Sequence, residues 1–273
     1  PDVSDIEKRD FMVRCYYLIG YYYSLLVLQY GPVPIVPNTP FKPDDPVEVM
    51  AKERATYEEC IAYIQEYMTL AAQYLPLERE NESLITLPTS WAAIANLSRM
   101  TLYAASPWYN GNKFYSDWTR ASDGQHFIPQ DGVNSKWGIA AAYSKYIIEK
   151  GPFELYTSVK ESDTPTLPAG ITSDPNYYNS YPNGAGDIDH YRSFTYLFNG
   201  ELPVTLNKEI ILSCKPASWT DSPLWIASPY FLGGGNGLNL THDLTTAFYM
   251  NNGLDINDPG SGYPSNNEAH EQI

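Results

Sequence analysis

Between Arg14 and Gln29 every residue except Gly20 and Ser24 is apolar or tyrosine, and this run narrows most what the chain can fold into. Phe11, Cys15, Leu18, Tyr22, Leu25 and Leu26 recur at three- and four-residue steps, which predicts a helix over about 6–30 with those side chains along one face. So apolar a perimeter should be buried nearly all round. A membrane span is the competing reading, but the uninterrupted run is 14 residues with Tyr at five of them. A bilayer needs about 20, so a core helix is expected. Gly31 then offers a left-handed position beyond the helix end, and Pro32, Pro34 and Pro37 forbid its continuation, leaving an extended strap.

Four further helices follow. Thr56 and Glu59 form a capping box ahead of a stripe made by Tyr57, Ile61, Ile64, Met68, Ala71 and Leu75, closed by Pro76. The segment from Thr89 to Ala105 carries Ala92, Ala93, Ala95, Ser98, Ala104 and Ala105, small residues that let a neighbouring helix approach closely. Asn134 is expected to cap a helix through Trp137, Ala140, Ala141, Ser144, Ile147 and Ile148 that ends at Lys150-Gly151-Pro152. A short helix should begin at Thr241 and cover Leu244, Ala247 and Phe248. Residues 107–133 and 157–203 show no periodicity and read as ordered surface loops, and only Glu209–Ser213 resembles a buried strand.

The net charge of −15, from 32 acidic against 17 basic residues, repels phosphate backbones and anionic lipid, which argues against a nucleic-acid partner. Cys15, Cys60 and Cys214 are too few and too scattered for a disulfide framework or a zinc site, and buried free thiols are expected. Arg14 and Arg99 lie among apolar residues and are expected to be buried and paired with a carboxylate or carbonyl. Asp187-Ile188-Asp189-His190 has alternating carboxylates but lacks the twelve-residue calcium loop with its terminal Glu, so a turn is expected there. The Gly233-Gly234-Gly235 run lacks the Lys-Ser/Thr of a phosphate loop. His126, His190, His242 and His270 have no metal-ligand spacing, and neither a cofactor nor catalytic machinery is expected.

The order of these segments resembles the SusD/RagB family. The resemblance is carried by Arg14-Cys15-Tyr16-Tyr17 running into Tyr30-Gly31-Pro32-Val33-Pro34-Ile35-Val36, by Tyr74-Leu75-Pro76, and by the alanine-rich 92–105 helix. Tyr143–Tyr156, Asn207-Lys208-Glu209-Ile210-Ile211 and Leu244–Gly253 supply the later landmarks. It implies an all-α fold of TPR-like helix pairs with long irregular loops and little β structure. It also implies a non-catalytic surface lipoprotein of the outer membrane that captures glycans for a SusC-like TonB-dependent transporter, attached only through a lipid anchor. Members begin with a lipoprotein signal and continue past the last landmark, so residues 1–273 are expected to be one SusD-like domain, incomplete at both ends. Its helical core would span 1–106 and its loop-rich region 107–273, with helices near 134–150 and 241–250. RagB-like peptide capture and a helical glycoside hydrolase are the alternatives; for the latter, a carboxylate pair at catalytic separation is a tertiary property that sequence does not reveal.

Glycan capture needs flat apolar faces for the C–H side of sugar rings and polar groups for the hydroxyls. Two loops have that mixture. One is Trp108-Tyr109-Asn110-Gly111-Asn112 with Phe114, Tyr115 and Trp118; the other is Trp219, Asp221, Trp225 and Tyr230 ahead of the glycine run. The resemblance favours the second, because the family tends to place ligand aromatics after the Glu-Ile-Ile landmark. The competing reading is that these rings pin loops to the helical core.

Overall fold

The capping box at Thr56 is where local sequence and structure agree in most detail. In the computed structural model the Thr56 hydroxyl accepts from the Glu59 amide and the Glu59 carboxylate accepts from the Thr56 amide, opening a helix over Tyr57–Tyr74. The structure describes residues 3–79, 84–166, 175–213, 228, 230–235, 237, 241–250 and 252–263. They fall into two compact units, one of residues 1–155 with 204–214 and one of 156–203 with 215–273.

The first unit stacks four long helices: α1 (Asp5–Tyr30), then, after a single turn α2 (Val47–Met50), α3 (Tyr57–Tyr74), α4 (Ser90–Ala105) and α5 (Ser135–Lys150). Helix α1 packs on α3, α3 on α4 and α4 on α5, the neighbour-on-neighbour order of TPR-like hairpins. All six residues of the predicted α3 stripe are buried. The small residues act as expected: Ala92, Ala93, Ala104 and Ala105 are buried, and Ser98 and Ser144 share a 2.8 Å hydrogen bond across the α4–α5 contact. Asn134 precedes α5 but makes no side-chain cap.

Helix α1 departs from the expectation. Val13, Tyr17, Gly20, Ser24 and Val27 form the buried stripe, while the face aligned by Phe11, Cys15, Leu18, Tyr22, Leu25 and Leu26 is exposed, so the perimeter is not buried nearly all round. The helix is 26 residues long and its most apolar window has a mean hydropathy of 1.3, enough in length and composition for a membrane crossing, yet one face is committed to packing. Its smallest residues choose that face. Gly20 is the point of closest approach, because a Cβ there would lie 2.9 Å from Met68 Cγ. The Ser24 hydroxyl bonds the Gly20 carbonyl at 2.7 Å and Asn96 Oδ1 at 2.9 Å, so the serine of the run is satisfied where it is buried.

The strap leaves α1 at Gly31, whose φ of +67° is one that glycine adopts freely. Val33 is held between the helices: its carbonyl accepts from the Ala55 amide and the Cys60 thiol, and its amide donates to Cys60 Sγ. Tyr23 Oη accepts from the Val36 amide. Cys60 is thus the buried thiol that was expected, whereas Cys15 is exposed and Cys214 lies outside the described residues. Arg14 pairs with Asp10 at 2.6 Å, but Arg99 is exposed rather than buried. The expected strand at Glu209–Ser213 does not form; Ile211 and Leu212 pack on the helical core instead, which explains their apolar character without a sheet.

The second unit contains the two short strands of the described residues, β1 (Ser158–Val159) paired antiparallel with β2 (Ile188–Asp189). Asp189 is buried, accepts from the Arg192 amide at 2.8 Å and Thr164 Oγ1 at 2.7 Å, and caps a helix over His190–Thr195. Arg192 in turn holds Glu161 and Asp163. Of the alternating pair, Asp187 lies in the turn before β2 and accepts from the Tyr181 amide, while Asp189 ends β2 and caps the helix, so both carboxylates are occupied. The short helix after Thr241 forms over His242–Thr246, ending before Phe248.

Candidate functional site

Helix α4 ends at Ala105, and the chain then makes an excursion to Asn134 whose neck is tied by one side chain. Asn110 donates to the carbonyls of Ala105 and Val133 and accepts from the Val133 amide. Beside it Gly111, at φ +86°, donates to the Pro129 carbonyl and lies so close to Gly132 that a Cβ would come within 2.7 Å of the Gly132 nitrogen. Asn112 Oδ1 then caps a single 3-10 turn, Lys113–Tyr115.

This excursion carries a continuous set of rings. Trp108 and Phe114 both meet Tyr115 edge-on, at 5.9 and 5.2 Å between centroids. Tyr115 contacts Trp118, and Trp118 contacts Phe127. Tyr109 lies flat on Tyr57 of α3, 4.1 Å away and 4° from parallel. The predicted residues therefore divide by role. Trp108, 57% exposed, faces outward, while Tyr109 and Trp118 are half-buried anchors. Phe114, at 84% exposed, is the more open of the two rings that meet Tyr115 edge-on. Together they form an aromatic shelf with Asn112, Lys113 and Asp117 beside it in sequence.

Charged groups hold the far end of the same excursion. Residues 118–127 fold back on themselves through the Thr119–His126 bridge and the Arg120 amide to Gln125 carbonyl bond. Arg120 Nη1 and Nη2 reach the two Glu59 oxygens at 2.7 and 3.2 Å, and Nε and Nη2 reach Asp123 at 2.6–3.1 Å. Glu53 accepts from the Ala121 and Ser122 amides. Hydrogen bonds from Arg120, then the Thr56 amide, hold the Glu59 carboxyl below its ordinary range, and Arg120 does the same first for Asp123. Glu59 was legible as a capping residue; its ion pair to a residue 61 positions away was not.

Of the second predicted cluster, Trp219, Asp221 and Trp225 lie outside the described residues. Tyr230 is 73% exposed in a turn over Tyr230–Leu232, beside a still more open Phe231. In the first unit a groove of about 490 Å³ lies between α4 and α5, lined by Ile94, Ile139, Ala142, Tyr143 and Tyr146. It is short of the amide and charged groups that orient sugar hydroxyls, which the shelf has.

Residues 2–102 match the family described as SusD-like_3, starch-binding associating with outer membrane. No curated protein matches. Among solved structures the fold is similar to BT4246, at 25% identity over 82% of this chain and a TM-score of 0.59, and to selenomethionine BT4246, at 23% over 97% with the same score. It is also similar to the SusD-like protein BF3747 of Bacteroides fragilis NCTC 9343, at 18% identity over 93% of this chain and a TM-score of 0.55. The chain spans less than half of each, 38%, 45% and 38% of their lengths respectively. The N-terminal family match, which ends within α4, and the likeness of the fold to BT4246 over most of the chain agree in direction: residues 2–102 are similar to SusD-like proteins, and the fold is similar to a solved SusD-like protein.

Proposed function

We propose that the chain binds neutral oligosaccharides or polysaccharides without turnover, at the outer cell surface, for delivery to a SusC-like TonB-dependent transporter. The observation that carries this reading is the shelf: Trp108 and Phe114 expose flat apolar faces while the rings behind them are anchored to α3. The family description, starch-binding associating with outer membrane, supports the ligand class and the location. The net charge of −15 favours a neutral ligand over an anionic one. A sugar ring stacked on Trp108 would remove roughly 60–80 Å² of apolar surface from water, on the order of 2 kcal/mol, or ten- to thirtyfold in affinity. Trp219, Trp225 and Tyr230, with Asp221 as a polar partner, are proposed as a second aromatic set.

Calorimetry against maltoheptaose, cellohexaose, xylohexaose and a xyloglucan oligosaccharide tests the reading, with Trp108→Ala, Phe114→Ala, Trp219→Ala and Trp225→Ala variants. Binding to at least one sugar, weakened about tenfold or more by Trp108→Ala, is expected, with no new reducing ends released. If no sugar binds while a peptide mixture does, the glycan assignment fails. Unchanged affinity in Trp108→Ala and Phe114→Ala would remove the shelf, and unchanged affinity in the other two would remove the second set.

A further inference from the structure

The aromatic shelf is held at several places, and two of them differ in kind. Its neck beside α4 is closed by backbone and amide hydrogen bonds at Asn110 and Gly111, but its far end meets the N-terminus of α3 through a charged fork. Arg120 is 14% exposed and uses all three guanidinium nitrogens on Glu59 and Asp123. Such forked pairs fix orientation as well as distance. Glu59 is a rigid anchor, because its carboxylate also closes the capping box and sits in the first turn of α3, where negative charge is favoured. From the same first turn of α3 a second line of contacts runs to the outward rings, and Arg120 joins it through the hairpin of residues 118–127, where its amide donates to the Gln125 carbonyl and the Phe127 amide to the Trp118 carbonyl. The Tyr57 amide donates to the Phe127 carbonyl, Phe127 packs on Trp118, Trp118 on Tyr115, and Tyr115 meets both Trp108 and Phe114.

We infer that Arg120 and Glu59 are positioning residues for ligand capture: their ion pair fixes the orientation of the Trp108–Phe114 shelf and so sets its affinity for sugar. This rests on the glycan reading above. Neither side chain touches the ligand; each acts through the ring contacts.

The two substitutions that isolate this are Arg120→Gln and Glu59→Gln, because Gln at position 59 keeps the capping-box bond while removing the charge. Hydrogen exchange of the amides between 108 and 118 is measured without ligand, and affinity is measured for whichever sugar of the four the unmodified chain binds. Each single variant is expected to speed exchange across 108–118 about tenfold or more, leave the interior amides of α4 unchanged, and weaken sugar binding by about tenfold. Combining them should add little, because both remove the same pair. Arg120→Lys, a point charge without the fork, should recover part of both effects.

A variant that loosens 108–118 yet binds as tightly as the unmodified chain overturns the positioning role. So does one that lowers the melting temperature while 108–118 exchange and affinity stay as they were, since that marks a merely structural pair. If the unmodified chain binds none of the four sugars, the glycan reading fails by itself. In that case the exchange measurement still decides whether the pair orients the shelf.

Discussion

Replacing Gly111 with Ala should open the neck of the aromatic shelf, and the same loop contains its own control. A Cβ at Gly111 would lie 2.7 Å from Gly132 N, 3.0 Å from Gly132 Cα and 3.3 Å from Asp131 C, all backbone atoms with no rotamer to yield. Ordinary contact begins at 3.4 Å, so the two strands of the neck would have to part by about 0.7 Å. That displacement acts on the Gly111–Pro129 bond at 3.1 Å and the two Asn110–Val133 bonds at 2.9 and 3.1 Å, each worth about 1 kcal/mol. The positive φ adds about 1–2 kcal/mol once a Cβ is present. Gly124, at φ +72°, lies in the same excursion with nothing within 4 Å of its would-be Cβ, so Gly124→Ala carries the backbone term alone. The expected costs are therefore about 1–2 kcal/mol for Gly124→Ala and roughly 3–5 kcal/mol for Gly111→Ala. Exchange of the Val133 amide reads neck opening directly, and the excess of about 2–3 kcal/mol predicts acceleration of roughly thirty- to a hundred-and-fiftyfold over Gly124→Ala. Equal exchange in the two variants would refute the reasoning, because it would mean the close approach of Gly111 and Gly132 constrains nothing.

Three further outcomes are expected. In this 273-residue chain, Ile64→Ala should lose about 2–5 kcal/mol in urea denaturation, because Ile64 is fully buried. Leu18→Ala, on the exposed face of α1, should change stability by only about 0.5 kcal/mol; a large loss would place that face in the core after all. At alkaline pH, burial, with Tyr21 nearby, pushes the Tyr17 hydroxyl up to about 12, so its stabilising contribution is complete below the ordinary tyrosine value near 10 and is lost as pH rises toward 12. Tyrosinate absorbance should show that late titration in the folded chain and its disappearance in Tyr17→Phe. In acid the sign reverses: Glu59 and Asp123 are held below their ordinary range by Arg120, so the fork contributes above that range and weakens as pH falls through it, which exchange across 118–127 measured against pH should follow.

Most of the helical frame was legible because its signals are local. The capping box, the α3 stripe, the alanine face of α4 and the glycine–proline stop after α1 each depend on residues within one or two turns of each other. The site was legible only in part. Composition marked the loop after α4 as aromatic and polar, but did not separate the outward Trp108 from the anchoring Tyr109 and Trp118, since all three are large rings in one short segment. Phe114 emerged as the most open ring of that loop because Asn112 caps a turn beneath it, a detail of backbone geometry.

What the sequence by itself determined is that α1 must be a long helix, apolar on nearly every side, ended at Gly31. Which side meets the core was decided only in three dimensions. A perimeter this apolar has no periodic signal to choose a face, so close packing chose it: α3 and α4 come nearest where Gly20 and Ser24 leave room and where Asn96 meets the buried Ser24 hydroxyl. The same limit hid the fork between Arg120 and Glu59. Charge attraction across 61 residues leaves no periodicity in the chain, and it exists only because the fold brings the loop back to the start of α3.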